Sequence, residues 1–412
     1  MDTLTRRRFL VASGVTGGAA LAAGASAVTW RQLHQAAQAN PRPTDAKTLV
    51  IVTLYGGNDG LGTVIPYADS AYHSARPDLA YSPSDVLKLD GSLGLNPSMK
   101  GFASLWKNKQ LAVVRGVGYP KPDHSHFRSM DIWQTASPDE PVNTGWIGRW
   151  LDASGDDPLR AVDIGNTLPP LCVGLKATAA SLQVGVDRTA PKEVAAAFTA
   201  LGMADPADRA AAAMVCESYR AERTVATKVT PALSSSGSTD GDDDAGAGGS
   251  SAGGQGGLAA QLDVVSRCIK AGVPTQVYSV SLGGFDTHAD EKGTQATQLG
   301  QLDIAASNFL ADMAKDPRGA GVVLLVYTEF GRRVAANASQ GTDHGTAGPV
   351  FVAGRPVRGG FYGEQPSLTD LDNGDLKSST DFRAVYGELL HKVLDADPAK
   401  VLGSDRSELG FL

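Results

Sequence analysis

A glycine-rich turn that carries an aspartate follows a mostly apolar run near the start of the chain. The run is Thr48–Leu54, and the turn is Tyr55–Gly62 with Asp59 in its middle. A nearly uninterrupted apolar run of this length predicts a strand that is covered on both faces. In open α/β sheets, ligands bind in the crevice at the carboxyl ends of the strands. Asp59 is therefore predicted to lie where a ligand or a metal ion binds.

Two later segments repeat this arrangement of a strand followed by an acidic turn. Asp286 and His288 follow the strand-like residues 276–282, and Glu329 follows the strand-like residues 322–328. In an extended or loop segment, Asp-x-His places both side chains on the same side, so Asp286 and His288 can reach one ion. We expect the three acidic residues to meet on one edge of a sheet.

Asp, Glu and His form a ligand set that suits zinc, manganese or magnesium. Asp343 and His344 add a further pair, whose adjacent side chains point apart, so one of them is expected to bridge ions or to support a ligand. A single pair of this kind is also typical of a helix cap or a hydrogen-bonded loop. The sequence predicts a site for one or two divalent ions, with these candidate ligands: Asp59, Asp286, His288, Glu329, Asp343 and His344.

Ser125 is a candidate nucleophile. It lies between His124 and His126, after the strand-like residues 111–117 and before a helical pattern that begins at residue 127. A helix N-terminus offers amide donors and a positive dipole end, which favour a phosphorylated or sulfated serine. The alternative is that Ser125 only caps the helix.

Two arginines near the motifs are the last candidates. Arg128 and Arg332 are each able to bind a tetrahedral anion through two N–H groups, or to form a surface or fold-stabilising ion pair instead. The candidate catalytic residues are Ser125, His126 and Arg332.

The elements that must position these residues alternate between strands and helices. This alternation predicts an α/β fold, a three-layer αβα sandwich with a mostly parallel sheet, in a single domain over residues 46–412. Residues 233–256 are rich in Gly, Ser and Asp and predict a disordered insertion. The predicted strands are 48–54, 111–117, 276–282, 322–328 and 349–353, and the predicted helices are 98–108, 127–135, 145–153, 191–202, 206–226, 258–272, 295–315 and 380–395.

The N-terminus predicts export by the twin-arginine pathway. Thr5–Leu10 contains three consecutive arginines and leads into an uncharged stretch of small residues, and Ala-x-Ala cleavage sites end at Ala27 and Ala39. We assign residues 1–39 to the signal peptide, with the twin-arginine translocase as a partner. This pathway carries proteins that are already folded, so the mature protein is expected in the periplasm or outside the cell.

The composition of the chain disfavours some classes of binding partner. The net charge of −7 disfavours nucleic acid and anionic membranes as partners. No segment after the signal approaches the roughly 20 apolar residues of a spanning helix. We therefore expect no stable membrane span after cleavage, and a small anionic ester as a possible substrate.

Several motifs occur in order and resemble domain-of-unknown-function family 1501 (DUF1501). The resemblance covers nearly all of the mature chain. The motifs, beside the export signal, are Leu54-Tyr-Gly-Gly-Asn-Asp-Gly60, His-Phe-x-x-x-Asp-x-Trp at 126–133, Thr144-Gly-Trp-Ile-Gly-Arg149, Gly284-Phe-Asp-Thr-His288, Thr328-Glu-Phe-Gly-Arg332, Asp343-His-Gly345 and Asp381-Phe-Arg-Ala-Val-Tyr386.

The family looks like a distant branch of the alkaline phosphatase and sulfatase superfamily. That resemblance implies an alkaline-phosphatase-like fold, with Asp59 as the first ligand and Ser125 at the nucleophile position. It also implies Asp286 with His288 as the middle pair, Glu329 as the next acidic ligand and His344 as the final histidine. Phe330 stands where a histidine commonly follows the acidic ligand, and no Cys-x-Pro-x-Arg motif of a formylglycine sulfatase is present.

Residues and resemblance together lead to one functional hypothesis and one rival. The hypothesis is an exported, metal-dependent hydrolase of phosphate or sulfate esters. The rival is a non-catalytic binding or assembly protein of the cell envelope that retains the fold. A dinucleotide-binding enzyme is disfavoured, because the glycines at 57, 60 and 62 do not have the G-x-G-x-x-G spacing.

Overall fold

The computed structural model describes residues 28, 30–155, 157–165, 167–182, 257–404 and 407–412. The predicted signal up to residue 27, the predicted helices at 191–202 and 206–226, and the predicted insertion at 233–256 lie outside the described residues.

A single large sheet runs through the molecule. Among the described residues it has nine strands in the order β11-β5-β10-β9-β1-β8-β6-β7, with β14 also paired to β5. The strands of the chain are β1 Thr48–Leu54, β2 Val64–Ile65, β3 Leu87–Lys88, β4 Gly94–Leu95, β5 Leu111–Gly118, β6 Ala161–Asp163, β7 Ala180–Ser181, β8 Val277–Leu282, β9 Val322–Thr328, β10 Gly348–Ala353, β11 Gly360–Tyr362, β12 Leu371–Asp372, β13 Asp375–Leu376 and β14 Thr380–Asp381.

Most strand pairs of this sheet are parallel. β1 pairs in parallel with both β8 and β9, and only β10 runs antiparallel to its two neighbours, β5 and β9, within the described sheet. Two small antiparallel sheets, β2-β4-β3 and β12-β13, lie outside it. The mostly parallel sheet predicted from the sequence is confirmed.

Helices cover both faces of the sheet. In the described parts of the chain they are α1 Trp30–Ala39, α2 Gly60–Thr63, α3 Ser70–Ala75, α4 Lys100–Lys107, α5 His126–Thr135, α6 Trp146–Ser154, α7 Leu258–Lys270, α8 Glu291–Met313, α9 Phe382–Lys392 and α10 Pro398–Leu402. None of these described helices is long and apolar enough to cross a membrane.

The sheet separates the two larger of the three apolar clusters in the described core. Alternate residues of β1 enter opposite clusters, because successive side chains of a strand point to opposite faces. Val50 and Val52 join the cluster that includes α4, α7 and α8, whereas Leu49 and Ile51 join the one that includes α5, α6 and α9. Helix, sheet and helix therefore form three layers, as the sequence predicts.

Candidate metal site at the carboxyl edge of the sheet

The three acidic turns meet because their strands are adjacent and parallel. Leu54, the last residue of β1, is paired with Leu282 of β8 on one side and Thr328 of β9 on the other. The turn after β1 lies so close to the turn after β8 that a Cβ on Gly56 would be 2.4 Å from the backbone nitrogen of Asp286. Gly56 also has a φ of +117°, which glycine adopts without strain.

Three histidines surround the carboxylate of Asp286. Its Oδ1 atom lies 3.0 Å from Nε2 of His288, 3.3 Å from Nε2 of His344 and 3.4 Å from Nε2 of His126. The Nε2 atoms of His288 and His344 are 3.0 Å apart. The ligand atoms of His126, Asp286 and His344 all lie within 4.8 Å of one another, as expected of groups that hold a metal ion.

Two of the histidines are oriented by hydrogen bonds at their other nitrogen. Nδ1 of His126 is 2.8 Å from Oε1 of Glu329, and Nδ1 of His344 is 2.7 Å from the carbonyl oxygen of His124. A carbonyl oxygen accepts but does not donate, and an ionised carboxylate does the same, so we assign the ring proton to Nδ1 in both residues. The lone pair is then on Nε2, the atom that faces Asp286.

This arrangement fits a divalent ion. Nε2 of His126 is buried and has no hydrogen-bond partner among the described residues. Zinc bonds of about 2.0–2.2 Å in a tetrahedron place neighbouring ligand atoms about 3.3–3.6 Å apart, close to the 3.0–3.4 Å between Asp286 and the three imidazoles. The two imidazoles and one carboxylate of this group, with His288 beside them, suit zinc better than magnesium, which prefers oxygen ligands.

Glu329 orients His126 through a hydrogen bond. Its buried carboxylate accepts hydrogen bonds from the backbone N–H of Gly56 at 2.9 Å and from the Thr328 hydroxyl at 2.8 Å, and it also bonds His126. The bond with Glu329 raises the pKa of His126, whereas burial lowers the pKa of His344. A carboxylate behind a histidine is the usual way in which proteins orient a metal ligand.

Arg332 lies under the site and connects its loops. The buried guanidinium donates to the carbonyl oxygens of Gly57 at 2.6 Å, Thr342 at 2.9 Å and Phe285 at 3.0 Å, and also to that of Gly56. It also bonds Oδ1 of Asp286 at 2.8 Å. Burial raises the pKa of Asp286, but this hydrogen bond and the charge of Arg332 outweigh it and lower the pKa to about 2. The structure thus places Arg332 in the fold-stabilising role that the sequence left open.

Asp59 lies apart from the imidazole cluster, in a buried ion pair. Its Oδ2 atom is 2.5 Å from Nη1 of Arg76, and its Oδ1 accepts from the backbone N–H of Leu61, so the residue caps α2. Arg76 also donates to the carbonyl oxygens of Arg333 and Val334. The predicted ligand Asp59 therefore contacts an arginine that the sequence analysis did not single out.

A comparison with protein families matches residues 46–402 to "Protein of unknown function (DUF1501)". The chain belongs to the DUF1501 family. The family predicted from the motifs is thus confirmed, and no curated protein matches the chain.

Several solved structures are similar to this DUF1501 protein. One, from Vibrio parahaemolyticus, is a protein in the alkaline phosphatase superfamily (TM-score 0.39, 9% identity, 92% of this chain and 80% of that chain). Another is the alkaline phosphatase from the Antarctic bacterium TAB5 (TM-score 0.37, 9% identity, 89% and 99%). A third is a 2-O GAG sulfatase (TM-score 0.29, 11% identity, 77% and 65%). Scores and identities this low identify no reaction, so the chemistry must come from the residues of the site.

The remaining candidates of the DUF1501 protein lie around the histidines. Ser125 is the exposed N-cap of α5 and precedes the ligand His126, and its hydroxyl makes no capping hydrogen bond to the described helix. Oδ1 of Asp343 is 3.9 Å from Nδ1 of His288 and accepts from the side-chain amide of Asn337 at 3.2 Å. Asp343 therefore stands behind a histidine, as the sequence allowed for one member of that pair.

Asp375 was missed by the sequence analysis. Its Oδ2 atom is 2.8 Å from Nε2 of His124, and its Oδ1 atom is 3.5 Å from Nε of Arg333. The carbonyl oxygen of His124 is hydrogen-bonded to His344. Because Asp375 contacts the ring of His124, it helps to fix the segment that orients His344. Asp375 is 251 residues from His124 and follows no strand-end motif, so only its acidic type would have indicated it.

A cavity of about 190 Å³ adjoins the site. Phe330 forms part of its wall, and the ring of Phe330 is 4.9 Å from that of His126 and 4.8 Å from that of His344. Residues 118–122, which precede Ser125, form another part of the wall, together with Asp375 and Lys377. Phe330 is thus a wall shared by the cavity and the histidines, and the described residues that line the cavity include none of the three histidines.

Proposed function

We propose that the protein is an exported, metal-dependent hydrolase of phosphate or sulfate esters. The observation that carries this proposal is the convergence of three imidazole Nε2 atoms on Oδ1 of Asp286, one of them buried and without a hydrogen-bond partner in the described structure. The geometry supports Asp286, His126 and His344 as the residues that would hold the ion, with His288 beside them as a fourth candidate, and the ligand types favour zinc.

A divalent ion at this position would supply positive charge that polarises an ester oxygen and offsets the charge that develops during the reaction. The chain itself supplies the rest. Ser125 has an exposed hydroxyl that caps no described amide, and it is covalently next to the ligand His126. The first turn of α5 provides backbone N–H groups and the positive end of the helix dipole for an anionic group.

In the proposed reaction the Ser125 oxygen bonds to phosphorus or sulfur while the ester bond to the alcohol breaks. The proton lost by Ser125 balances the alkoxide that leaves as the alcohol, and water then releases phosphate or sulfate and restores the serine. In the alternative course, water attacks phosphorus or sulfur directly and no serine ester forms.

A binding protein without turnover is the second candidate, and Phe330 favours it. The buried ring of Phe330 packs against His126 and His344, so one side of the two imidazoles is closed to a substrate. In that case the ion would serve the assembly or the binding of another molecule of the cell envelope.

The test separates the two candidates through metal content and turnover. The protein is stripped with a chelator, reloaded with zinc, analysed for bound metal, and assayed with 4-nitrophenyl phosphate and 4-nitrophenyl sulfate. We expect Asp286→Ala to lose both metal and turnover, and Ser125→Ala to keep the metal and to lose turnover by at least about 10²-fold.

Metal binding without hydrolysis of either ester would favour the binding protein. A wild-type protein that neither retains an ion under any loading condition nor hydrolyses these esters would contradict the proposed hydrolase. Ser125→Ala with unchanged turnover would instead favour direct attack by water.

A further inference from the structure

Helix α1 is part of the folded domain, although the predicted export signal extends to its last residue. The side chain of Leu33 is fully buried, and Ala37 is 4% exposed. Both belong to the apolar cluster that also contains residues of β1 and α7. Two turns of α1 thus contribute to one of the two main cores.

Contacts with the domain begin just before α1 and continue after it. The backbone N–H of Val28 donates to the carbonyl oxygen of Ser181 in β7 at 2.8 Å, and the backbone N–H of Arg42 donates to Gly272 at 3.0 Å. The guanidinium of Arg267, in α7, lies 5.7 Å from the centre of the Trp30 ring. The described contacts with the domain therefore begin at Val28.

We infer that the export signal is cleaved after Ala27 and not after Ala39, so that α1 remains in the mature protein. This inference uses the twin-arginine signal predicted from the sequence and does not depend on the proposed function. Because proteins leave by this pathway already folded, the cleavage site must be accessible in the folded protein.

The Ala-x-Ala site that ends at Ala39 does not meet this requirement. Peptidases bind the residues before the cleaved bond in an extended form. For cleavage after Ala39 these residues are Ala37, Gln38 and Ala39, which are helical, and Ala37 is packed in the core. Cleavage after Ala27 requires Ala25, Ser26 and Ala27, which precede Val28, where the described contacts begin.

The two cuts also have different consequences for the mature protein. A cut after Ala27 makes Val28 the first residue, and its new ammonium group keeps the bond to Ser181 as a charge-assisted hydrogen bond. A cut after Ala39 removes Leu33 and Ala37 and exposes the apolar surface beneath them, which favours aggregation.

The first experiment measures where the exported protein begins. The full chain is expressed with its signal, and the exported form is analysed by intact-mass spectrometry. We expect a chain that starts at Val28. The variant Ala27→Leu should accumulate uncleaved precursor, whereas the matched variant Ala39→Leu, at an exposed position of α1, should be processed normally. A chain that starts at Asn40 would overturn the inference.

The second experiment needs no export. Chains that start at Val28 and at Asn40 are produced in the cytoplasm, and their melting temperatures are compared. We expect the shorter chain to melt lower by on the order of 5 °C, because it lacks a buried helix. In the longer chain, Leu33→Asp should have a similar effect and Gln35→Asp, exposed on the same helix, should have almost none. Equal melting temperatures for the two chains would contradict the inference.

Discussion

Two acidic turns that look alike in the sequence differ sharply in the structure. The turn after β1 places Asp59 in a buried ion pair with Arg76, and the turn after β8 places Asp286, about half exposed, among three imidazoles. Both aspartates follow buried parallel strands at the same edge of the sheet. The side chains around them come from other parts of the chain, and these neighbours decide whether the carboxylate serves the fold or a ligand.

The comparison shows what a strand-end position does and does not determine. The position brings a carboxylate to the edge where ligands bind. Arg76, the C-cap residue of α3, neutralises Asp59. Beside Asp286, by contrast, lie His126 from the start of α5 and His344 from a loop. Four predictions test this division between a structural and a ligand-binding carboxylate.

The largest expected effect is on stability. Arg76→Ala leaves the buried carboxylate of Asp59 without its cation, and we expect the free energy of unfolding to fall by about 3–5 kcal/mol. Asp286→Ala, without metal, should lower it less, by about 1–2 kcal/mol, because Asp286 is half exposed although it bonds the buried guanidinium of Arg332. Urea denaturation measures both. The double variant Asp59→Leu with Arg76→Met serves as the control and should recover much of the loss. Equal losses of unfolding free energy for Arg76→Ala and Asp286→Ala would contradict the distinction between a structural and a ligand-binding carboxylate.

The pH dependence of stability tests the buried carboxylates around Asp59. Burial and the neighbouring Asp59 raise the pKa of Glu291 to about 8. Between its ordinary pKa near 4.5 and pH 8, folded Glu291 keeps a proton that the unfolded chain has lost, so stability must fall as pH rises. We expect Glu291 to contribute a loss on the order of 3 kcal/mol across this window. Glu291→Gln should make the slope shallower, and the part that remains should come from Asp163, whose pKa burial raises to about 7. A wild-type stability that rises over the same window would refute the assignment.

Metal binding tests the role of the half-exposed carboxylate, Asp286. Zinc at about 100 times its dissociation constant should stabilise the wild-type protein by about 2.7 kcal/mol, because the ion binds only the folded state. Asp59→Asn should keep this increment, and Asp286→Asn should lose it. Denaturation with zinc and with a chelator gives the increment for each variant. An increment that disappears with Asp59→Asn in a folded protein would place Asp59 back among the ligands.

The smallest expected effect concerns the carboxylates behind the histidines. Glu329→Gln removes the charge that holds His126, and we expect zinc affinity to fall by about 10-fold. Asp343→Asn removes an exposed charge near His288 and should change the affinity by less than about twofold. Calorimetric titration compares the two variants. The reverse order of effects would show that His288, not His126, needs its carboxylate.

The long strands were predictable, and several short ones were not. β1, β5, β8, β9 and β10 are buried on both faces and therefore read as apolar runs, which fixes their ends to within a residue. β6, β7, β11 and β14 have two or three residues each, too few for any period to show. Their pairing follows from the tertiary packing.

The site was predictable to the extent that its groups lie in local motifs. Asp286 and His288 closely follow the end of β8, and His344 lies in the segment between β9 and β10. The structure brings the three together. The sequence did not indicate the roles of the residues that orient these groups. Glu329 faces His126 from a position 203 residues away, and Arg332 bonds three separate loops. Such contacts depend on how strands order in the sheet, which one sequence does not specify.

The position of Arg332 has a consequence for how an ion would bind. Fixing a residue's backbone costs roughly 1–2 kcal/mol of conformational entropy. Because Arg332 already holds the backbone of the loops at 56–57, 285–286 and 342, that loss occurs when the chain folds and not when the ion arrives. The apo protein should therefore retain the shape of its site, and amide hydrogen exchange in these loops should be nearly the same with and without metal.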